Sequence, residues 1–182
     1  MSTASRYQPH YRVSDYLQWE GDWELWFGTA VAMVPSPFAP HERAVTKLTY
    51  QIESSLLRHE CDCRVYAGLD WIVQDDTVVR PDVMVVCGEQ PEKHLERPPA
   101  LAIEVLSDST RSKDCHAKRM LYEEYGVACY LIVDVDAKSI QWLQRDADGK
   151  YQDQSSQIKA DTFSVTLPDG CQVGFSRELT FQ

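Results

Sequence analysis

The chain has 182 residues, 43% of them hydrophobic, with 28 acidic against 18 basic side chains and a formal charge of −10. That is enough apolar material for one core and too little length to favour two, so a single domain spanning residues 1–182 is expected. The acidic balance argues against a protein that coats nucleic acid through many phosphate contacts, so any nucleic-acid chemistry must be local.

In chain order, Ser14 followed by Asp15 to Glu20 predicts a short capped helix. Trp23 to Phe27 and Ala30 to Val34 predict an N-terminal β-hairpin turning at Gly28. Pro35, Pro37 and Pro40 then break the chain before a long helix from about His41 to His59. Its buried face is expected to carry Ala44, Val45, Leu48, Ile52 and Leu56, with Tyr50 as a further candidate. Short β-like runs follow at Cys63 to Tyr66, Leu69 to Gln74, Asp82 to Cys87 and Ala100 to Leu106, which together suggest a sheet. A second helix, about Ser112 to Tyr125, ends at Gly126 in the position of a left-handed cap and leads into a strand from Cys129 to Asp134. After Val135 the pattern becomes antiparallel: Ser139 to Gln144, a turn at Asp148-Gly149, Tyr151 onward, then Phe163 to Leu167 and a turn at Pro168-Asp169-Gly170. The sum is an α/β domain.

No run reaches the roughly 18 consecutive apolar residues of a membrane span, and Met1 to Ser14 lacks the apolar core of a signal peptide, so a soluble, cytoplasmic protein is expected. Six cysteines, at 61, 63, 87, 115, 129 and 171, are scattered through the chain, several in apolar runs. That distribution suits reduced core thiols better than a disulfide framework. His59, Cys61 and Cys63 have the character of zinc ligands, but a second close pair is missing from the sequence. Cys115 beside His116 reads as a core thiol next to a surface imidazole, because adjacent helical residues point about 100° apart.

Glu104 is the residue that does not belong. It interrupts the apolar run Ala100 to Leu106, and a carboxylate there must be paired, protonated or bound to a metal, because burying it bare costs several kcal/mol. Apolar residues on both faces of the run indicate a central strand, with Glu104 on the face of Ala102 and Leu106. Asp82 opens the preceding run behind Arg80-Pro81. On the second helix, Asp114, Ala117, Lys118, Leu121, Tyr122 and Tyr125 share one side, away from His116, Arg119 and Glu123. Against this stands a plain alternative: Asp114 and Lys118 as an intrahelical pair worth about 0.3 to 0.5 kcal/mol, and Glu104 bonded to an arginine such as Arg80. The mutual complementarity of the three charge types favours a site. Two carboxylates, Asp82 and Glu104, suit Mg²⁺ (with Mn²⁺ as substitute), and Lys118 would orient a water or stabilise a developing oxyanion.

The residues Arg80-Pro81-Asp82-Val83, Pro98 to Ser107, Asp114 with Lys118 and Tyr122, Gly126-Val127 and Tyr130 to Asp134, with a weaker match over Tyr16 to Glu24 and at Pro40-His41, resemble the Uma-two family of endonucleases, within the restriction-endonuclease-like PD-(D/E)XK superfamily. The resemblance implies a mixed central sheet flanked by helices, metal ligation by Asp82 and Glu104, Lys118 as the catalytic lysine with Asp114 beside it, and a nucleic-acid substrate, DNA by expectation. It hints that His41 approaches the metal. Two positions depart from the pattern: Leu106 stands where the superfamily usually carries its lysine, so that role passes to Lys118, and Asp108 stands where relatives commonly have proline. Trp19, Trp23 and Trp26 suggest packing or a dimer contact, and pairing of two N-terminal hairpins in a homodimer would set two sites against the two strands of a duplex. The competing reading is a nuclease-fold binding or regulatory module that cuts nothing, for which the acidic surface is the main argument.

Overall fold

The computed structural model describes residues 9–33, 38–107, 113–159 and 161–182, with backbone alone at 113 and 114. Its centre is a six-stranded mixed sheet in the order β10-β9-β8-β7-β6-β3, built from β3 (Cys63–Ala67), β6 (Val83–Cys87), β7 (Leu101–Val105), β8 (Cys129–Asp134), β9 (Ser139–Arg145) and β10 (Tyr151–Asp153). Only β7 and β8 run parallel, because the chain between them crosses over through a helix rather than a hairpin. β7 is central, and all five of its residues are buried.

Each face of this sheet has its own cover. The helix α2 (Ala39–Arg58) and the hairpin β11 (Thr162–Thr166) and β12 (Gln172–Ser176) pack on the face of Val83, Val85, Leu101, Ile103 and Val105. The opposite face, with Met84, Val86, Ala102 and Ile132, receives Leu121 and Tyr122 of α3 (Arg119–Glu124) and Trp71 and Val79 of a second sheet. Fully burying a Leu, Ile or Val side chain is worth about 1.5 to 3 kcal/mol, so two apolar faces on one strand make β7 a fixed platform.

The second sheet is four-stranded, ordered β2-β1-β5-β4, and combines the N-terminal hairpin, β1 (Trp23–Trp26) and β2 (Thr29–Ala32), with β4 (Trp71–Gln74) and β5 (Thr77–Val79). The hairpin turns on Phe27 and Gly28, with φ of 46° and 77°, the left-handed pair that matches the twist of a two-residue connection. The expected single sheet is therefore two. β4 turns back at Asp75-Asp76 into β5 instead of joining Cys63 to Tyr66 in the central sheet.

Other differences are local. The first helix, α1, covers only Val13–Tyr16, started by Arg12 and Asp15 rather than by Ser14. α2 begins at Ala39 with Pro40 in its first turn, and Tyr50 is exposed while Gln51 and Ser55 are buried. A short C-terminal helix α4 (Arg177–Phe181), capped by Ser176, had no sequence signal strong enough to set it apart. The cap of α3 follows expectation: Gly126 has φ of 88°, and the Val127 N–H reaches back to the Tyr122 carbonyl at 2.9 Å. The cysteines correct the expectation of scattered thiols, since Cys61 is bonded to Cys171 and Cys63 to Cys87, with Cys115 and Cys129 outside these disulfides.

Candidate active site

Glu104 lies on the face of β7 turned toward α3, as strand alternation with Ala102 requires. Its carboxylate is gripped from two sides. Lys118 Nζ lies 2.7 Å from Oε2, and the Tyr122 hydroxyl donates to Oε1 at 2.6 Å. Lys118 and Tyr122 are four residues apart, one helical turn, so one helix face delivers both. The Tyr122 phenol is pushed well above its ordinary pKa, by burial first and by the Glu104 charge second, and therefore remains a donor.

Lys118 closes a π-helical stretch, Lys113–Lys118, from which α3 continues. Bonding from i to i+5 widens the turn and rephases the residues before α3 against those within it. That explains a departure from the expected stripe: Ala117 is exposed, whereas Lys118, Leu121 and Tyr122 are buried. The side chain of Asp114 lies outside the described residues, as do Asp108 and the expected helix start at Ser112.

A second carboxylate, not singled out in the sequence, also faces the lysine. Glu24 of β1 is fully buried, and its Oε1 lies 3.5 Å from Lys118 Nζ. Glu24 is itself anchored, with Trp26 Nε1 donating to Oε2 at 2.9 Å and the Arg80 N–H donating to Oε1 at 3.0 Å. Lys118 also donates to the Arg80 carbonyl at 3.4 Å. The Arg80 side chain goes elsewhere, to Asp70 at 2.6 Å and Asp22 at 2.7 Å, so it does not neutralise Glu104. Tyr16 adds a bond to Asp70 at 2.8 Å, and the network fixes the segment that leads through Pro81 to Asp82.

Asp82 sits immediately before β6. Val83 pairs with Ile103, so the next position outward along the same ladder sets Asp82 beside Glu104. The Val105 N–H donates to Asp82 Oδ2 at 2.7 Å, where the carboxylate takes the place of a strand partner behind Pro81. His41, at the start of α2, approaches the same oxygen at 3.4 Å. Its imidazole pKa is raised by the hydrogen bond to Asp82, an effect that burial opposes. The Asp82 side chain is 24% exposed against 2% for Glu104, so the pair runs from solvent into the interior.

This donor set suits a hard divalent cation. Asp82 and Glu104 offer carboxylate oxygens from neighbouring segments of the sheet, and hard oxygen donors are what Mg²⁺ or Mn²⁺ prefers. Among the described residues, three or more ligand-type groups come within 4.8 Å of one another only at Cys63, Cys87 and Asp169, so no third such group joins Asp82 and Glu104 at that spacing.

No curated protein matches the sequence. Among solved structures, the fold is similar to that of "a putative nuclease belonging to DUF820" from Anabaena variabilis, with a TM-score of 0.72 and 14% identity over 94% of this chain and 97% of that one. At that identity the likeness establishes the nuclease-type α/β fold alone. Residues 13–181 match the Uma2 family, described as "Putative restriction endonuclease", and this span takes in both sheets and every described side chain of the site. The chain belongs to the Uma2 family of restriction-endonuclease-like proteins.

Proposed function

We propose that the chain is a Mg²⁺-dependent endonuclease that hydrolyses phosphodiester bonds of DNA, with Asp82 and Glu104 as metal ligands and Lys118 as the catalytic lysine. The observation that carries this reading is the 2.7 Å contact between Lys118 and Glu104 at the end of the central strand, directly across the ladder from Asp82. Bound there, the ion would lower the pKa of a water and offset charge on the phosphoryl group. The rest falls to the chain itself. Glu104 and Glu24 hold the Lys118 ammonium in place, where its protons can be offered to the attacking water or to a non-bridging phosphate oxygen. Tyr122 fixes Glu104 through Oε1, and the Val105 N–H fixes Asp82 through Oδ2. Asp114, four residues before Lys118, is the remaining candidate for the reacting end of the helix. The net charge of −10 restricts favourable phosphate contact to this neighbourhood or to a basic surface on a partner.

Incubating plasmid or single-stranded DNA with purified protein and Mg²⁺ or Mn²⁺ tests the proposal. Cleavage that is lost in Lys118→Ala and Glu104→Ala supports it. Wild-type protein that cuts no faster than these variants leaves the silent binding or regulatory module as the correct reading. We further propose that the N-terminal hairpins pair two copies into a homodimer; a monomeric mass by light scattering at assay concentration would remove that element alone.

A further inference from the structure

At the end of the central sheet away from Asp82, three ligand-type side chains from three chain segments meet. Cys63 opens β3, Cys87 closes β6 opposite it in the ladder, and Asp169 lies in the turn between β11 and β12; their donor atoms all fall within 4.8 Å of one another. Asp82 and Cys87 stand at opposite ends of β6, roughly 16 Å apart along the strand, so this is a separate place from the proposed active site.

The environment of Cys63 is chemically unbalanced while it is cross-linked. Its sulfur lies 3.1 Å from Asp169 Oδ2, at hydrogen-bond distance for a thiol, yet a disulfide sulfur has no proton to donate. The carboxylate does not lie there by default. The Cys171 N–H holds its other oxygen at 3.1 Å, which leaves Oδ2 directed at the sulfur. A positive centre between sulfur and oxygen, a proton or a metal ion, satisfies both.

We propose that, once the Cys63–Cys87 bond is reduced, these two thiolates and Asp169 form a binding site for a thiophilic divalent ion, Zn²⁺ by preference, with a water in the fourth position. Tetrahedral zinc takes sulfur at about 2.3 Å and carboxylate oxygen at about 2.0 to 2.2 Å, which places ligand atoms closer than 4.8 Å to one another, as they are here. Cys63 is buried, Cys87 partly buried and Asp169 exposed, so an ion enters from the Asp169 side. The reaction balances. A phosphine reductant and water give two thiols and a phosphine oxide, and the metal then displaces one proton from each thiol. Oxidation by a small-molecule disulfide reverses it, restoring the cross-link and releasing the ion. The sequence sets zinc aside for lack of a second close ligand pair, whereas the neighbours of Cys63 in the fold are Cys87 and Asp169, 24 and 106 residues away.

Titration of phosphine-reduced protein with Cd²⁺, followed by ultraviolet thiolate-to-metal absorption and by competition with Zn²⁺, tests this directly, because the signal reports sulfur ligands and is blind to carboxylate-only sites. One equivalent is expected, displaced by Zn²⁺, absent from Cys63→Ser and from protein reoxidised with glutathione disulfide, and retained in the Cys61→Ser/Cys171→Ser double variant. Asp169→Asn, a change in an exposed turn that leaves the core intact, is expected to weaken binding by about tenfold. No absorption in the reduced wild type, or full-strength binding by Asp169→Asn, would overturn the proposal.

Discussion

Lys118 Nζ and Glu104 Oε2 are 2.7 Å apart, with their side chains 5% and 2% exposed. Removing one partner from such a pair leaves the other charged in a low-dielectric interior, which costs about 3 to 5 kcal/mol. Lys118→Met is therefore expected to lose stability of that order in urea denaturation. The double variant Lys118→Met/Glu104→Gln should recover part of the loss, because Glu104 then carries no buried charge and, of the carboxylates Glu104 and Glu24, Glu24 alone loses its ammonium. Additive losses would show that the two groups are not coupled.

Tyr122 is the second restraint on Glu104, through a 2.6 Å hydrogen bond wholly inside the protein. A bond to a charged acceptor contributes about 1.5 to 3 kcal/mol, so Tyr122→Phe should be destabilised by that amount with the fold retained. Cleavage should also slow, because one oxygen of the proposed metal ligand loses its fixed orientation. An unchanged melting curve would place Glu104 Oε1 in some other contact.

Glu24 separates the catalytic proposal from a purely structural one. Glu24→Gln is isosteric and keeps one acceptor oxygen, for either the Trp26 or the Arg80 N–H, and it removes one of the carboxylates facing Lys118. We expect the cleavage rate at saturating DNA to fall at least tenfold, about 1.4 kcal/mol, with Mn²⁺ affinity little altered. A change in KM alone would assign Glu24 to substrate binding.

Acid stability should depend on Glu123, which ties α3 to β10. Its Oε1 accepts the Tyr151 N–H at 2.6 Å, and that bond, with Lys150 nearby, lowers its pKa from 4.5. A carboxyl whose folded pKa is depressed contributes stability above its unfolded pKa and loses it as pH falls through the folded value. Glu123→Gln should thus be less stable than wild type by about 1 kcal/mol at neutral pH, with the gap closing below pH 4.5. A gap that persists at low pH would mean that the charge is not what holds the two elements.

The pattern of residues announced some of this architecture and concealed the rest for identifiable reasons. Glu104 stood out because an apolar run on both faces left a carboxylate nowhere to go but inward, and Lys118 because it shared a helical stripe with Leu121 and Tyr122. Glu24 did not. In Trp-Glu-Leu-Trp a charged residue alternating with apolar ones reads as the solvent side of a half-buried strand, and it is buried only because Lys118 and the Arg80 backbone arrive from distant segments. Gln51 and Ser55 were hidden by the same logic: both look like the polar side of α2, yet they satisfy the Ser176 and Gly174 N–H groups of the C-terminal hairpin. The division into two sheets could not be read either, because β5 has three residues, too few for a periodic signal, and pairing partners are a tertiary property. Cysteine partners 110 and 24 residues apart are likewise set by the fold and not by spacing.

Calorimetric titration with Mn²⁺ bears most directly on the central claim, that Asp82 and Glu104 together hold a divalent cation beside Lys118. Under non-reducing conditions, which keep the Cys63–Cys87 thiols out of the measurement, wild-type protein should bind one ion, and Asp82→Asn and Glu104→Gln should each weaken it by at least about tenfold. Equal binding by wild type and both variants, or no binding at all, would contradict the account.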